Sequence, residues 1–316
     1  MDELGRAVSA VVNDCLRVKP GEEVLVIANP ATLGLGERLR GEAGRSGADA
    51  ILALMGERGS HAAEPPRTLA AAMAGADVVL APTIQSLSHT AARKAACDGG
   101  TRIATLPGVT EEMLARVMGA DIAGLERKGG AIAALLDDAE EARIRCANGS
   151  DLRLGLSGRA AIPDAGRLDR PGAFGNLPCG EAFIAPLEGS CEGTLVVDGT
   201  IAGVGIPAEP VRLTVRDGRL AAASGAAGAA LLELLVAHGE VATTVAELGV
   251  GTNECARLTG NVLEDEKIEG TVHVAFGASA AIGGTVQVPV HLDCVVMQPT
   301  LTIGATLVVD AGRLVI

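Results

Sequence analysis

The segment GTVQVPVHLDCVV, residues 284–296, alternates like a buried strand but carries a histidine and an aspartate two residues apart. Side chains two residues apart on a strand point to the same face, so His291 and Asp293 can converge on one point. A converging imidazole and carboxylate suit a metal ion, and they also suit a structural hydrogen bond between a neutral histidine and the aspartate. The pair alone leaves both interpretations open.

Three further apolar segments each contain one possible ligand. GTVHVAFG contains His273, TTVAELGVGTN contains Glu247 and GNLPCGEAFIAP contains Glu181. Buried charges cost stability unless they are paired or bind a cation, so four such segments indicate one shared site. Nitrogen and oxygen ligands suit Zn²⁺, Mn²⁺, Co²⁺ or Fe²⁺. Three carboxylates with two imidazoles exceed the needs of one zinc ion, which predicts a dinuclear hydrolytic centre with bridging carboxylates.

The elements that position these residues fall into two groups. From residue 3 to about 138, helix-like and apolar strand-like segments alternate, which predicts a mainly parallel sheet with helices on both faces. After the hairpin signal at Asn148-Gly149, strands and turns dominate, with one clear helix in AAGAALLELLVAHG. We predict an α/β N-terminal domain over residues 1–145. An α+β catalytic domain over residues 146–316, with a mainly antiparallel sheet, is expected to carry the metal site.

Composition narrows the class of protein. The net charge of −13 in 316 residues repels phosphate backbones and anionic lipid, so neither nucleic acid nor a membrane is an expected partner. No apolar run reaches the length of a membrane span, and the N-terminus is charged, which predicts a cytoplasmic protein. Seven cysteines without a CxxC motif are expected to be reduced thiols.

The runs GNLPCGEAFIAPLEGSCEGTLVVDG, AELGVGTNECARLTGNVLEDEKIEGTVHVAFG and GGTVQVPVHLDCVV resemble the M29 metalloaminopeptidases, the aminopeptidase T and aminopeptidase S type. The resemblance covers essentially all of the second predicted domain. It implies two divalent ions, Zn, Co or Mn, and a homodimer acting on small peptides. The ligands that it implies are the five residues selected above: Glu181, Glu247, His273, His291 and Asp293.

In the mechanism that this resemblance suggests, Asp293 and one glutamate bridge the two ions, and the histidines bind terminally. A metal-bound hydroxide attacks an amide carbonyl, with Glu181 or Glu247 as proton acceptor. The peptidases are similar in having a tyrosine seven residues after the HxAFG histidine, where this chain has Ala280 and no tyrosine elsewhere. Either a backbone N–H or Ser279 replaces that phenol, or the reaction differs. Hydrolysis of another small amide, or a non-catalytic descendant, remains an alternative.

A second branch of the resemblance is a dioxygenase. The 2,5-dihydroxypyridine dioxygenases resemble the peptidases in fold but hold one Fe²⁺ with two histidines and one aspartate. His273, His291 and Asp293 match that set, which is the facial-triad pattern of non-haem iron oxygenases. Retention of Glu181 and Glu247 favours the dinuclear hydrolase, because a mononuclear centre has no evident use for two more buried carboxylates. The acidic run LEDEKIEG is predicted to be a solvated helix or turn.

Overall fold

The computed structural model describes residues 2–316, which form two compact units. Unit 1 contains the chain up to Ala120 and Gly166–Cys179, and unit 2 contains Asp121–Ala165 and Gly180–Ile316. The α-helices are α1 (Glu3–Ser9), α2 (Leu33–Arg45), α3 (Arg67–Gly75), α4 (Ala91–Asp98), α5 (Glu111–Val117), α6 (Ile122–Asp138), α7 (Gly225–Val236) and α8 (Val262–Asp265). A π-helical turn spans Ala10–Cys15, and 3₁₀ turns span Pro30–Thr32, Glu240–Thr243 and Ala280–Ile282.

The strands complete the inventory of elements in chain order. They are β1 (Glu23–Ala28), β2 (Asp49–Leu54), β3 (Val78–Ala81), β4 (Arg102–Thr105), β5 (Glu141–Arg145), β6 (Asp151–Gly155), β7 (Ile162–Asp164), β8 (Phe174–Asn176), β9 (Glu181–Ile184), β10 (Glu192–Val197), β11 (Val211–Arg216), β12 (Arg219–Ala223), β13 (Val245–Gly251), β14 (Val272–Gly277), β15 (His291–Val296), β16 (Thr300–Ile303), β17 (Thr306–Asp310) and β18 (Arg313–Leu314).

Unit 1 is built on a parallel sheet, which we call sheet A, in the order β2-β1-β3-β4-β8. The short apolar runs form its buried central strands, and every residue of β3 and β4 is buried. A cluster that includes Leu25, Ile27, Val79 and Ile103 forms the core on this sheet. The predicted α/β organisation with a parallel sheet is confirmed.

Unit 2 contains two antiparallel sheets. Sheet B has the order β12-β11-β10-β6-β5-β16-β17-β18, and sheet C has the order β15-β14-β13-β9-β7. Residues of both sheets, such as Leu154 and Leu213 of sheet B and Leu248 and Val274 of sheet C, belong to one continuous hydrophobic core. The predicted α+β class with mainly antiparallel strands is confirmed.

The compact units divide the chain differently from the expected boundary between residues 145 and 146. Helix α6 belongs to unit 2 because it packs on β7 and β9. Strand β5 belongs to unit 2 because it pairs with β6 and β16. The segment Gly166–Cys179 belongs to unit 1 because its strand β8 pairs with β4. Such pairings join residues distant in sequence, and local sequence patterns do not encode them.

The structure also describes the state of the cysteines and the character of the helices. All seven cysteines are free thiols, and Cys15, Cys179, Cys191 and Cys294 are buried. Within residues 2–316, no helix combines the length and apolar character that a membrane span requires.

Candidate metal centre

One face of sheet C gathers the five residues that the sequence singled out. Glu181 begins β9, Glu247 lies in β13, His273 lies in β14, and His291 and Asp293 lie in β15, which are four neighbouring strands. Because side chains alternate across a strand, the residues between them, such as Leu248 and Val274, point into the hydrophobic core. The structure therefore brings Glu181, Glu247, His273, His291 and Asp293 together on the face opposite that core.

Glycines on this face make room for the functional side chains. Gly249 lies opposite His273 in the β13–β14 register, and a Cβ atom at Gly249 would lie 2.0 Å from His273 Nε2. A Cβ atom at Gly251 would lie 2.1 Å from the carbonyl oxygen of Ile268. A side chain at Gly249 would displace the imidazole of His273, and one at Gly251 would displace the backbone of Ile268. The position of His273 therefore requires glycine at residue 249.

Glu247 lies between the two imidazoles. Its Oε1 is 3.2 Å from His273 Nε2, and its Oε2 is 3.4 Å from His291 Nε2. His291 Nε2 is also 3.4 Å from Asp293 Oδ1. His273 is fully buried, and Glu247 and Asp293 are 7% and 9% exposed. Carboxylate and imidazole donors thus converge in a region nearly closed to solvent.

The backbone fixes the orientation of His291. Its Nδ1 lies 2.7 Å from the carbonyl oxygen of Ala278, an acceptor that holds the proton on Nδ1 and leaves Nε2 to face the carboxylates. Metal-binding histidines commonly have this second hydrogen bond to a carbonyl or carboxylate. His273 Nδ1 is buried and has no hydrogen-bond partner among the described residues.

Two charged residues of the site were missed in the sequence. Lys267 is fully buried, and its Nζ lies 2.6 Å from Glu181 Oε1 and 2.6 Å from Glu266 Oε1. Glu266 also belongs to a group of possible ligand atoms with His273 and Asp293. The one sequence signal for them is their adjacency in LEDEKIEG, a run that resembles an ordinary solvated surface segment.

The prediction that this acidic run is solvated is wrong. Glu264 and Asp265 are fully buried, and each accepts hydrogen bonds from backbone N–H groups. Asp265 accepts from Thr259 N at 2.7 Å and from Gly260 N at 2.8 Å, while Glu264 accepts from Arg257 N at 3.0 Å. These bonds compensate for the burial of charge, and they join α8 to the loop that precedes it.

The charges of the site perturb one another strongly. Burial would raise the pKa of Glu247, but hydrogen bonds with His273 and His291 outweigh it and hold the pKa well below the ordinary value. Burial would lower the pKa of both histidines, and the surrounding carboxylates instead raise it well above the usual range. Burial raises the pKa of Glu266 to about 8, despite the opposing charge of Lys267. The carboxylates of the site thus favour positive charge on the groups that lie between them.

The residues present fit a divalent metal ion. Three sets of side chains bring ligand atoms within 4.8 Å of one another: Glu181, Glu247 and His273; Glu247, His291 and Asp293; and Glu266, His273 and Asp293. Glu181 Oε2 is buried and lies 3.2 Å from His273 Nε2, the same distance as Glu247 Oε1. Donors that share one ion at about 2.1 Å lie roughly 3 Å apart, close to the distances around Glu247.

Ala280, which occupies the position of the missing tyrosine, and its neighbour Ser279 differ in their surroundings. Ala280 is exposed at the start of a 3₁₀ turn. Ser279 is 2% exposed, and its Oγ accepts a hydrogen bond from the Val286 N–H at 3.2 Å. That hydroxyl therefore stabilises the loop between β14 and β15.

Two solved structures share this fold. The structure of 2,5-dihydroxypyridine dioxygenase from Pseudomonas putida KT2440 matches with a TM-score of 0.86 and 22% identity, over 100% of this chain and 98% of that chain. Wild-type AmpT from Thermus thermophilus matches with a TM-score of 0.75 and 20% identity, over 99% of both chains. Together they define a two-domain fold shared with AmpT, so the M29 resemblance is confirmed at the level of the fold.

Sequence comparison then separates the families. The profile of NicX, 2,5-dihydroxypyridine 5,6-dioxygenase, matches residues 38–316, and the chain belongs to this family. The 2,5-dihydroxypyridine 5,6-dioxygenase of Pseudomonas putida strain KT2440 is 26% identical over 260 residues, covering 77% of this chain and 72% of that protein.

The predicted M29 aminopeptidase activity is wrong, because the family match is to dioxygenases and not to peptidases. The assignment as a hydrolase, and the pair of Zn, Co or Mn ions that it required, lose their support with it. The error has a structural cause. In the sequence, Glu181 and Glu247 favour a second metal ion, but in the structure Glu181 is paired with the buried ammonium group of Lys267.

Proposed function

We propose that this chain is a mononuclear Fe²⁺ dioxygenase that opens a dihydroxylated pyridine ring. The observation that carries the proposal is the family match over residues 38–316. The donor set supports it, because two histidines and one carboxylate are the ligand pattern of non-haem Fe²⁺ oxygenases. Substrates of the 2,5-dihydroxypyridine class follow from the activity named for the family.

His273, His291 and Asp293 would hold the iron. Asp293 belongs to two groups of neighbouring ligand atoms, one with His273 and the other with His291. One carboxylate is therefore common to both histidines. The Ala278 carbonyl directs His291 Nε2 toward the same region. When bound, ferrous iron supplies open coordination positions and the one-electron chemistry that reaction with O₂ requires.

Glu247 is placed to move a proton. In the structure its two oxygens contact His273 Nε2 and His291 Nε2. With His273 and His291 engaged as iron ligands, Glu247 would be a buried carboxylate beside the reacting centre. A carboxylate in that position can accept the proton of a substrate hydroxyl group at either oxygen. Its burial also keeps bulk water away from that proton.

The test is ring opening by protein reconstituted with Fe²⁺ without oxygen and then supplied with 2,5-dihydroxypyridine and O₂. We expect one O₂ consumed for each ring opened, with both atoms of ¹⁸O₂ recovered in the product. The matched control is His291→Ala, which removes one ligand and should lose both iron and turnover. Incorporation of a single oxygen atom, or turnover that does not depend on iron, would contradict the proposal.

A further inference from the structure

Lys267 introduces a fixed positive charge into the metal centre. Its side chain is fully buried, and Nζ lies 2.6 Å from a carboxylate oxygen of Glu181 and 2.6 Å from one of Glu266. Burial would lower the pKa of Lys267, but the charges of Glu181 and Glu266 raise it well above the ordinary value. Two buried salt bridges therefore hold the ammonium group inside the site.

The backbone around Lys267 fixes that position. The Lys267 N–H donates to the Glu264 carbonyl at 2.9 Å, and the Lys267 carbonyl accepts from the Asn253 N–H at 2.9 Å. The next residue, Ile268, lies directly over Gly251, where a Cβ atom would be 2.1 Å from the Ile268 carbonyl oxygen. The segment is thus held against β13 by close backbone contact, and the ammonium group has little freedom to leave.

The ammonium group contacts two of the three possible donor groups. Glu181 belongs to the group with Glu247 and His273, and Glu266 belongs to the group with His273 and Asp293. Lys267 pairs with one carboxylate of each. The third group, Glu247 with His291 and Asp293, contains neither carboxylate that Lys267 binds.

We propose that Lys267 takes the place of a second divalent ion and limits this centre to one. A divalent ion bound to the same carboxylates would lie about 2.0–2.2 Å from their oxygens, in the space that Nζ fills. Two such cations repel each other strongly where burial removes the screening by water. The single ion then binds at the end of the cluster formed by His291 and Asp293, within reach of His273. This inference rests on the mononuclear centre of the proposed function and gives its cause.

The experiment compares ion stoichiometry in wild type and Lys267→Gln, with Mn²⁺ alone as the probe. Equilibrium dialysis with elemental analysis gives the number of ions per chain, and frozen-solution electron paramagnetic resonance shows whether two ions are coupled. We expect one isolated Mn²⁺ in the wild type. In Lys267→Gln we expect two ions with a spin-coupled spectrum, because Glu181 is released to bind a second ion together with Glu247.

The matched control is Lys128→Gln. Lys128 also contacts two carboxylates in unit 2, those of Glu254 and Glu269, but it is partly exposed, and neither carboxylate belongs to a donor group. We expect one isolated Mn²⁺ in this variant. A general effect of losing a lysine that pairs with two carboxylates would instead change the stoichiometry of both variants.

A second variant addresses loss of folding. Lys267→Gln leaves an unbalanced buried carboxylate, whereas Lys267→Met combined with Glu266→Gln removes one charge of each sign and keeps Glu181, Glu247 and His273. This double variant should also bind two coupled ions. Two ions in the wild type, or one isolated ion in a folded Lys267 variant, would overturn the inference. Failure of ring opening would count against the proposed function alone, because Mn²⁺ stoichiometry does not depend on turnover.

Discussion

At the scale of single residues, substitution of Glu247 distinguishes a metal ligand from a proton acceptor. We predict that Glu247→Gln still binds one metal ion but loses at least about a hundredfold in kcat, because the amide cannot accept the proton. Metal content and steady-state oxygen consumption measure the two effects separately. Loss of the metal together with turnover would show instead that Glu247 is a ligand.

Substitution of Gly249 tests whether metal binding requires the space that this glycine leaves for the imidazole of His273. We predict that Gly249→Ala weakens metal binding by at least about tenfold, because the new Cβ would displace the imidazole of His273. Calorimetric titration with Mn²⁺ measures the affinity. The matched control is Gly130→Ala in α6 of the same unit, where nothing lies within 4 Å of the added atom. Equal affinity in the two variants would contradict the argument.

At the scale of elements, α8 and the loop before it depend on one buried aspartate. Asp265 accepts hydrogen bonds from Thr259 N, Thr259 Oγ1, Gly260 N and Thr200 Oγ1. We predict that Asp265→Ala lowers the free energy of unfolding by about 3 kcal/mol, because four donors lose their acceptor. Denaturant unfolding measures this loss. Asp310→Ala at the exposed end of β17 is the control and should change stability by less than about 0.5 kcal/mol.

An ion pair joins Glu22, the residue before β1, to Arg102 of β4 in sheet A. Glu22 accepts two hydrogen bonds from Arg102, whose side chain is 8% exposed. Burial would raise the pKa of Glu22, but the Arg102 guanidinium and the Lys19 N–H lower it below the ordinary value. A lowered folded-state pKa stabilises the fold above the unfolded-state value, and this contribution disappears as pH falls through the folded-state value.

We therefore predict that Glu22→Gln lowers stability by about 2 kcal/mol at pH 7 and has a progressively smaller effect below about pH 4. Thermal unfolding of both proteins across pH measures the difference. A difference between the two proteins that stays constant from pH 7 to pH 3 would contradict the assignment.

The elements also show how far local patterns predict this molecule. The alternation in TVHVAFG and PVHLDCVV predicts both the strand and the face of His273, His291 and Asp293, because these depend only on neighbours in the chain. LEDEKIEG misled because the partners of its charges, such as the Thr259 and Gly260 N–H groups for Asp265 and Glu181 for Lys267, are brought to it only by folding. The strand Phe174–Asn176 could not be assigned to sheet A for the same reason, since its partner Ile103–Thr105 is distant in the chain.

At the scale of the whole molecule, each unit has its own hydrophobic core. Changes in stability that arise in different units should therefore be additive. We predict that metal binding stabilises unit 2 by about 2.7 kcal/mol at a hundredfold excess over Kd, and that Glu22→Gln in unit 1 does not alter this gain. Calorimetry with and without Mn²⁺ measures it. His291→Ala should abolish the gain and leave the effect of Glu22→Gln unchanged. The homodimer stays a prediction, which light scattering can test.

The alternation of sheet C also sets a rule for protein engineering. Along β13, Leu248 and Val250 face a hydrophobic core that tolerates residues of similar volume, whereas Gly249 and Gly251 have no space for any side chain. A library that randomises this strand should therefore recover functional variants only when alternate codons stay fixed. Directed evolution of a new substrate preference has to begin elsewhere, since the floor of the site accepts almost no substitution.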